Sequence, residues 1–541
     1  MHVDVFIAGG GLAGLTLARQ LKREAPSLEV LVAEKRTHPA PEAAHKVGES
    51  SVEIGAHYMR KVLDIECHLR AGHLEKLGLR YFFPAGDNSD LGTRFELGPA
   101  TFPPVPSFQL DRGRLENWLL DSNRAMGIDV LDRATVKNFE FGNPHHRVEI
   151  NTAEGTRAIT ARWFVDASGR SGLVRRRLGL TREVAHQANA CWWRVKRSVR
   201  LDDWVTDPAW KARVPDSTRW HSTNHLMGVG YWVWLIPLGS GSTSFGIVGD
   251  ATLHPYNRLN RFDKALEWLR IHEPQCARVA EEDRDSGNVE DFLALRHYAH
   301  GCARVYSNDR WLLTGESGVF TDPFYSPGSD FIGMGNGYIT DLITRERRGE
   351  DIQERLERFN IDYLRLFDAF LRVYAGQYPL MGNSQVMTAK AAWDNACYWA
   401  ITALLYFQRR LTQPEFMVTI DALMKRFFIL HARMQVFFRT WDRRDTARYG
   451  EGFTNIVALE DLRRLQAALG GPALSDDALR ATLQANVDLI ERFAQSLQVL
   501  ASEADPALGR FVAPLGADDE PFDIRAITLN RIPIEGPVSV A

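Results

Sequence analysis

The sequence predicts an α/β protein built from a doubly wound dinucleotide-binding sheet, an inserted and mainly antiparallel β-sheet region, and a helical C-terminal region. Three observations carry this expectation. The chain opens on a strand, a glycine-rich turn and a helix. An aromatic, β-rich stretch at 188–250 interrupts the α/β text. After about residue 350 the apolar period becomes helical.

Composition allows this architecture and excludes others. The 541 residues are 45% hydrophobic and 25% charged, which excludes wholesale disorder, collagen-like repeats and a disulfide-built miniprotein, and the length calls for two or more cores. Lys+Arg 65 against Asp+Glu 68 leaves a net charge of −3, without the basic excess that an electrostatic nucleic-acid or anionic-membrane binder needs. Cys67, Cys191, Cys276, Cys302 and Cys397 form no CxxC pair and read as reduced thiols of a cytoplasmic protein. No HExxH or Cys/His cluster marks a metal site, and His145-His146 beside Asn143-Pro144 reads as a solvated turn. No apolar run reaches the ~18 residues of a membrane span; 396–407 is short and reads as a buried helix. Residues 1–17 lack the basic start of a targeting peptide.

The elements follow in order. Residues 3–8 are an apolar strand, Gly9-Gly10-Gly11-Leu12-Ala13-Gly14 a turn, 15–23 a helix, and 28–33 a second strand ending at Glu34. Gly9, Gly11 and Gly14 make GxGxxG: a tight turn, close approach of a pyrophosphate to the backbone, and close helix–strand packing. The helix N-terminus offers free N–H groups to the phosphates. Glu34, 25 residues after Gly9, stands where a carboxylate accepts from ribose hydroxyls. Residues 130–168 alternate in strand fashion, 231–238 and 242–249 are β-rich, and Trp311-Leu312-Leu313-Thr314-Gly315-Glu316 runs into a Pro- and Gly-rich loop. Ile352, Leu356, Phe359, Tyr363, Leu366, Phe370 and Val373 recur at helical spacing, as do apolar residues in 416–438 and 479–500, with Ser475 an N-cap after Gly470-Gly471-Pro472. The C-terminal tail reads as irregular. The expected division is 1–345, with inserted parts at about 75–110 and 185–300, and a helical region 346–541.

Two later segments, Val165-Asp166-Ala167-Ser168-Gly169 and Leu313-Thr314-Gly315-Glu316-Ser317, resemble the flavin-contacting segments of glutathione-reductase-type and hydroxylase-type flavoproteins. That resemblance makes the dinucleotide FAD, with Asp166, Gly315 and Glu316 among its contacts. Glu316 stands where an Asp on the ribityl chain is usual. A helix from Gly328 would begin near the isoalloxazine, its N-terminus favouring negative charge there.

Tyr231-Trp232-Val233-Trp234-Leu235-Ile236-Pro237 contains WxWxIP without a mismatch and resembles the flavin-dependent halogenases. His45-Lys46-Val47-Gly48-Glu49-Ser50 is similar to their flavin-strap loop, Gln109-Leu110-Asp111-Arg112 to the segment before their second helix, and Asp322-Pro323-Phe324-Tyr325-Ser326-Pro327-Gly328 to their DPxxSxG halide loop. The likeness covers about 1–345; the C-terminal helices match in length and character only. It implies that Lys46, Ser50 and Arg112 contact FAD, that Glu49 acts on the flavin or on the oxidant, and that Gly328 and Ser329 hold halide. It further implies that reduced FAD from a separate reductase reacts with O2 to a hydroperoxide, that halide attacks it to give hypohalous acid, and that the acid travels through a tunnel to a lysine beside an aromatic substrate. Trp232, Trp234, Ile236 and Pro237 would wall the flavin from that substrate. On the residues alone, the two tryptophans are alternate positions of a core strand packed for area.

Lys76, in Lys76-Leu77-Gly78-Leu79-Arg80-Tyr81, fits the family's lysine better than Lys61 or Lys46, and a buried ammonium would have a lowered pKa. A surface lysine at a strand start is the plain alternative. The sequence also departs from the family: Pro327 has no N–H to donate, leaving Gly328 and Ser329 as neighbouring donors. Tyr325 replaces the Glu of tryptophan halogenases, so a phenol- or pyrrole-like ring, free or carrier-tethered, is expected rather than tryptophan, with no acid–base group assigned. The alternative is a flavin monooxygenase without a halide step. A third reading is a flavin-binding protein without turnover, docking in a biosynthetic assembly through exposed aromatics such as Trp441 or Tyr398, against the plainer reading of those helices as a buried core. The implied partners are the reductase and the aromatic substrate, without nucleic acid; a homodimer is left open.

Overall fold

The computed structural model describes residues 1–43, 46–513 and 520–532. His45 of the strap motif and part of the tail lie outside them. The first sheet runs Asp129–Leu131, Val30–Ala33, His2–Ala8, Gly155–Asp166, His146–Thr152, Thr135–Glu140, with Trp311–Leu313 also paired to Gly155–Asp166. His2–Ala8 is parallel to both neighbours, Ile7 lying opposite Val32 and Val165. Val5, Phe6, Ile7 and Ala8 are consecutive and all buried, as a parallel strand covered on both faces requires. Helix Leu12–Glu24 packs on the sheet through Leu15, Leu17, Ala18 and Leu21.

The second sheet has eight strands in the order Val289–Arg296, Ala188–Val195, Thr243–Asp250, Tyr231–Pro237, Thr223–Gly228, Leu79–Phe82, Phe95–Gly98, Gly452–Asn455. Strand alternation sends Tyr231, Val233 and Leu235 into a core with Trp193, Phe245 and the helices Phe262–His272 and Pro274–Asp285. It sends Trp232, Trp234 and Ile236 the other way, toward the nucleotide-binding sheet. Trp234 has room because Gly246 faces it: a Cβ there would stand 2.1 Å from the indole.

The helical region contains Gln353–Tyr374, Ser384–Cys397, Asp421–Arg444 and Asp476–Ser502, and Ser475 Oγ accepts from the Ala478 amide at 3.3 Å as an N-cap. The buried segment near 396–407 is helical, with a wider π turn at Tyr398–Ala403. Packing spans residue 346: Phe331 and Tyr338 pack against Phe359, Tyr363 and Phe367, and Gly452–Asn455 completes the edge of the second sheet. Two expectations need correction. Trp441 is 1% exposed, covered by Phe437, and no docking residue. His146 is buried at a strand start, its Nε2 bonded to the Arg310 carbonyl at 3.0 Å, so it is no solvated turn. Among the described residues no helix is long and apolar enough to cross a membrane.

A buried charge cluster anchors the strand that follows Lys76. Glu96 pairs with Arg80 and, at 2.8 Å, with Arg219, whose guanidinium lies 3.6 Å over the Trp210 ring. All three charged side chains are fully buried. Glu96→Gln leaves two buried guanidiniums undercompensated and is expected to destabilise the fold by about 3–5 kcal/mol, read as a lower denaturation midpoint in urea.

Candidate active site

A cavity of 740 Å³ lies between the two sheets, within the size range of cofactor sites. Its near end is the first turn. Gly9 has φ +118° and a Cβ there would stand 2.4 Å from the Ala167 carbonyl oxygen; a Cβ on Gly14 would stand 2.0 Å from the Gly9 carbonyl oxygen. On Gly11, by contrast, a Cβ would meet no protein atom within 4 Å and would occupy cavity space. Glu34 lines the cavity, its carboxylate fixed by the amides of Gly10 and Arg36, each at 2.8 Å. Glu316 and Gly315 line it too. Burial pushes the Glu316 carboxyl up against the pull of nearby Arg170. This turn, acid and inner carboxyl fit a dinucleotide with a second, ribityl-like chain.

Lys46 and Arg112 line the same cavity, but both are paired with Glu116, which ties the strap loop to helix Arg112–Ala125. Asp166 stands behind the cavity wall. Its carboxylate accepts from the Ser168 amide at 2.9 Å and the Val174 amide at 2.8 Å, and so shapes the loop that does.

The far end is aromatic. Trp232, Trp234 and Ile236 line the cavity; Pro237 ends their strand without lining it. Trp232 lies 5.2 Å from Phe324, which lies 4.4 Å from Tyr325, an aromatic layer at the end of the cavity. Trp232 Nε1 donates to the Tyr378 hydroxyl at 3.0 Å. Tyr378 and Tyr298 donate to Asp322 at 2.7 and 2.6 Å, and His186 pairs with it at 2.5 Å. The WxWxIP strand and the loop 322–328 are thus held in one network. Glu49 lines the cavity, and burial pushes its carboxyl up to about 7 despite Ser244 and Arg194.

Beyond Phe324 the loop has a left-handed turn, φ 65° at Tyr325 and 60° at Ser326, costly for non-glycine residues. It turns the two side chains apart. Ser326 lines the large cavity, whereas Tyr325 lines a separate 80 Å³ cavity walled by the helices Gln353–Tyr374, Ser384–Cys397 and Asp421–Arg444. Pro327 caps helix Gly328–Arg347, where a missing N–H is tolerated. Gly328 and Ser329 follow on the large cavity, and Ser329 Oγ has no hydrogen-bond partner.

Lys76 sits between these features, fully buried. Its Nζ donates to Ser50 Oγ at 2.8 Å and to the Ser51 carbonyl at 2.9 Å. Ser50 lines the large cavity and also meets Ser326 Oγ at 2.9 Å and Thr223 Oγ1 at 2.8 Å. Lys76 itself lines neither cavity. Burial lowers its pKa to about 7 against the attraction of Glu53 and Asp330, both of which line the small cavity. Burial likewise pushes Asp330 up to about 7.

Sequence reasoning missed Arg170, Thr223 and His225 on the large cavity and Glu53, Asp330, Asp394 and His431 on the small one. Alternation in the strand beside the tryptophans carries a signal for Thr223 and His225; the small cavity joins residues too distant in sequence for any spacing to mark. Among the described residues no three His, Cys, Asp or Glu converge as a metal site.

A family model described as an FAD binding domain matches residues 2–315. The flavin-dependent halogenase chlA of Dictyostelium discoideum is 26% identical over 447 residues, 77% of this chain and 72% of that protein. The 1H-pyrrole-2-carbonyl-(peptidyl-carrier protein) chlorinase of Pseudomonas fluorescens is 26% identical over 345 residues, 60% of this chain and 72% of that protein. The crystal structure of halogenase PltM in complex with phloroglucinol and FAD superposes with a TM-score of 0.63 at 14% identity, covering 94% of this chain and 98% of that one.

The Lys76 pKa has a measurable consequence for stability. A lysine at about 7 in the fold and 10.5 when unfolded binds fewer protons folded, so its burial destabilises most at and below pH 7 and not at all above 10.5. Lys76→Met is therefore expected to gain stability at pH 6.5, with the gain shrinking as pH rises toward 10.5, measured by urea denaturation at a series of pH values.

Proposed function

This chain belongs to the FAD-binding-domain family, and on that footing we propose that it is an FAD-dependent halogenase placing chlorine or bromine on an electron-rich aromatic ring. The observation that carries the site reading is the buried Lys76, bonded through Ser50 to the large cavity and electrostatically coupled to the carboxyls of the small one. FAD would be held by the Gly9–Gly11–Gly14 turn at its pyrophosphate, by Glu34 at the ribose, and by Gly315 and Glu316 further in. Reduced FAD supplies the activation of O2 by which halide is oxidised.

The protein's own residues divide the remaining work. Gly328 and Ser329 offer first-turn amides to a halide at the positive end of a 20-residue helix. The Trp232–Phe324–Tyr325 layer keeps organic rings from the large cavity, so that a small neutral hypohalous acid and not the substrate moves between the two spaces. Ser50, Ser326 and Thr223 line its way with hydroxyls. Lys76, at about 7, can receive the oxidant as an amine or hold it as an ammonium donor at neutral pH. Glu49 lies close enough to the large cavity to adjust its charge.

The substrate is a phenol- or pyrrole-like ring, free or tethered to a carrier as in the relative from Pseudomonas fluorescens. A separate flavin reductase in the cytoplasm would supply reduced FAD. The test is mass spectrometry of candidate aromatics incubated with reduced FAD, O2 and chloride or bromide. A halogen isotope pattern supports the reading; a gain of one oxygen instead would favour a monooxygenase. Lys76→Ala is expected to lower halogenated product at least about 100-fold while flavin oxidation continues; product formation at the wild-type rate removes Lys76 from the reaction.

A further inference from the structure

The small cavity holds a second set of polar groups that the flavin site does not use. Its walls are largely apolar, among them Phe370, Val373, Phe427 and Phe428, but Asp394 and His431 line it at 8% and 6% exposure. Asp394 Oδ2 accepts from Lys390 Nζ at 2.5 Å and from the Tyr325 hydroxyl at 3.1 Å, and Oδ1 accepts from Gln435 Nε2 at 2.8 Å. A carboxylate has about four acceptor sites, so one remains for a ligand. His431 Nδ1 is buried without a hydrogen-bond partner. Burial lowers the ring's pKa to about 4, so it is neutral at working pH.

We propose that Asp394 is the base for the substrate: it accepts the hydroxyl proton of a phenol seated in the small cavity, with Tyr325 and His431 orienting the ring. This assignment rests on the halogenase reading and deepens it from an electron-rich ring to one bearing an ionisable hydroxyl. The left-handed turn at Tyr325 serves this arrangement, since it aims the phenol side chain at Asp394 while the next residue faces the flavin cavity. The step balances. A C–halogen bond forms as the halogen–oxygen bond of hypohalous acid breaks; the ring is oxidised by two electrons and the formally positive halogen is reduced. The leaving hydroxide takes a proton from Lys76 and departs as water. The hydroxyl proton passes to Asp394 as oxygen electrons move into the ring. Loss of the ring proton restores aromaticity and recharges Lys76, and Asp394 returns its proton to the oxygen.

The charged and titratable groups facing Asp394 are Lys390 and Cys397 on its own helix, Tyr325 on the loop, Tyr81 on the second sheet, Tyr374 on helix Gln353–Tyr374, and His431 on helix Asp421–Arg444, beyond which stands Arg372. The test compares Asp394→Asn with wild type in FAD-loaded enzyme, using resorcinol, its dimethyl ether, and monochlorodimedone to trap oxidised halide. The ratio of halogenated resorcinol to oxidised halide is expected to fall about 100-fold at neutral pH. It should recover as pH rises through the ionisation of resorcinol, which then arrives as phenolate. A ratio equal to wild type, or a deficit that pH does not relieve, overturns the assignment alone. Absence of oxidised halide in wild type overturns the halogenase reading and this assignment with it. If Asp394→Asn does not fold, calorimetry on wild type decides: resorcinol binding about 10-fold or more tighter than its dimethyl ether supports a hydroxyl acceptor, and equal affinity refutes it.

Discussion

A buried ammonium held by a hydroxyl and a carbonyl is the constraint around which this molecule is arranged. Arg80, Arg94, Arg219 and Lys390 are also buried, yet each is paired with a carboxylate. Lys76 has Ser50 and Ser51 instead, and its nearest acids act from a distance. Desolvation without a counter-ion is what makes an amine titrate near neutrality. The surrounding charge network shows the contrast: where the fold needs rigidity it pairs charges, and where it needs a reactive amine it withholds the partner.

The large cavity and the core behind it follow from strand geometry. One strand, Tyr231–Pro237, feeds a structural core with its odd residues and the large cavity with its even ones. Its indoles are then tied sideways, Trp234 to Ser244 at 3.1 Å and Trp232 through Tyr378 to Asp322. The wall and the loop that separates the spaces are therefore one hydrogen-bonded unit, and a change in either shifts both.

Much of this was legible in the sequence because it is local. The glycine turn, Glu34 and the alternation of Trp232, Trp234 and Ile236 need only a few consecutive residues to declare themselves. Lys76 stood out through its motif, and it is fully buried instead of lying on the surface at a strand start. An acid after a strand, such as Asp166, can also cap a loop, and here it accepts from two amides of the loop that follows. Of the small cavity the loop motif marked Tyr325 and Pro327, whereas Asp394 and His431 come from two helices whose meeting with that loop depends on packing, and no spacing encodes that. Helical periodicity marked the apolar stripes of those helices but not the polar residues set among them.

The strand Gly452–Asn455 has a practical consequence. Lying parallel to Phe95–Gly98, it covers what would otherwise be an open row of backbone donors and acceptors. Modular exchange of the helical half, the obvious route to retargeting such an enzyme, would carry this strand away with the helices. A chimera spliced at residue 346 must bring a replacement strand of matching register, or the recipient half will meet other chains edge to edge before it meets any new substrate.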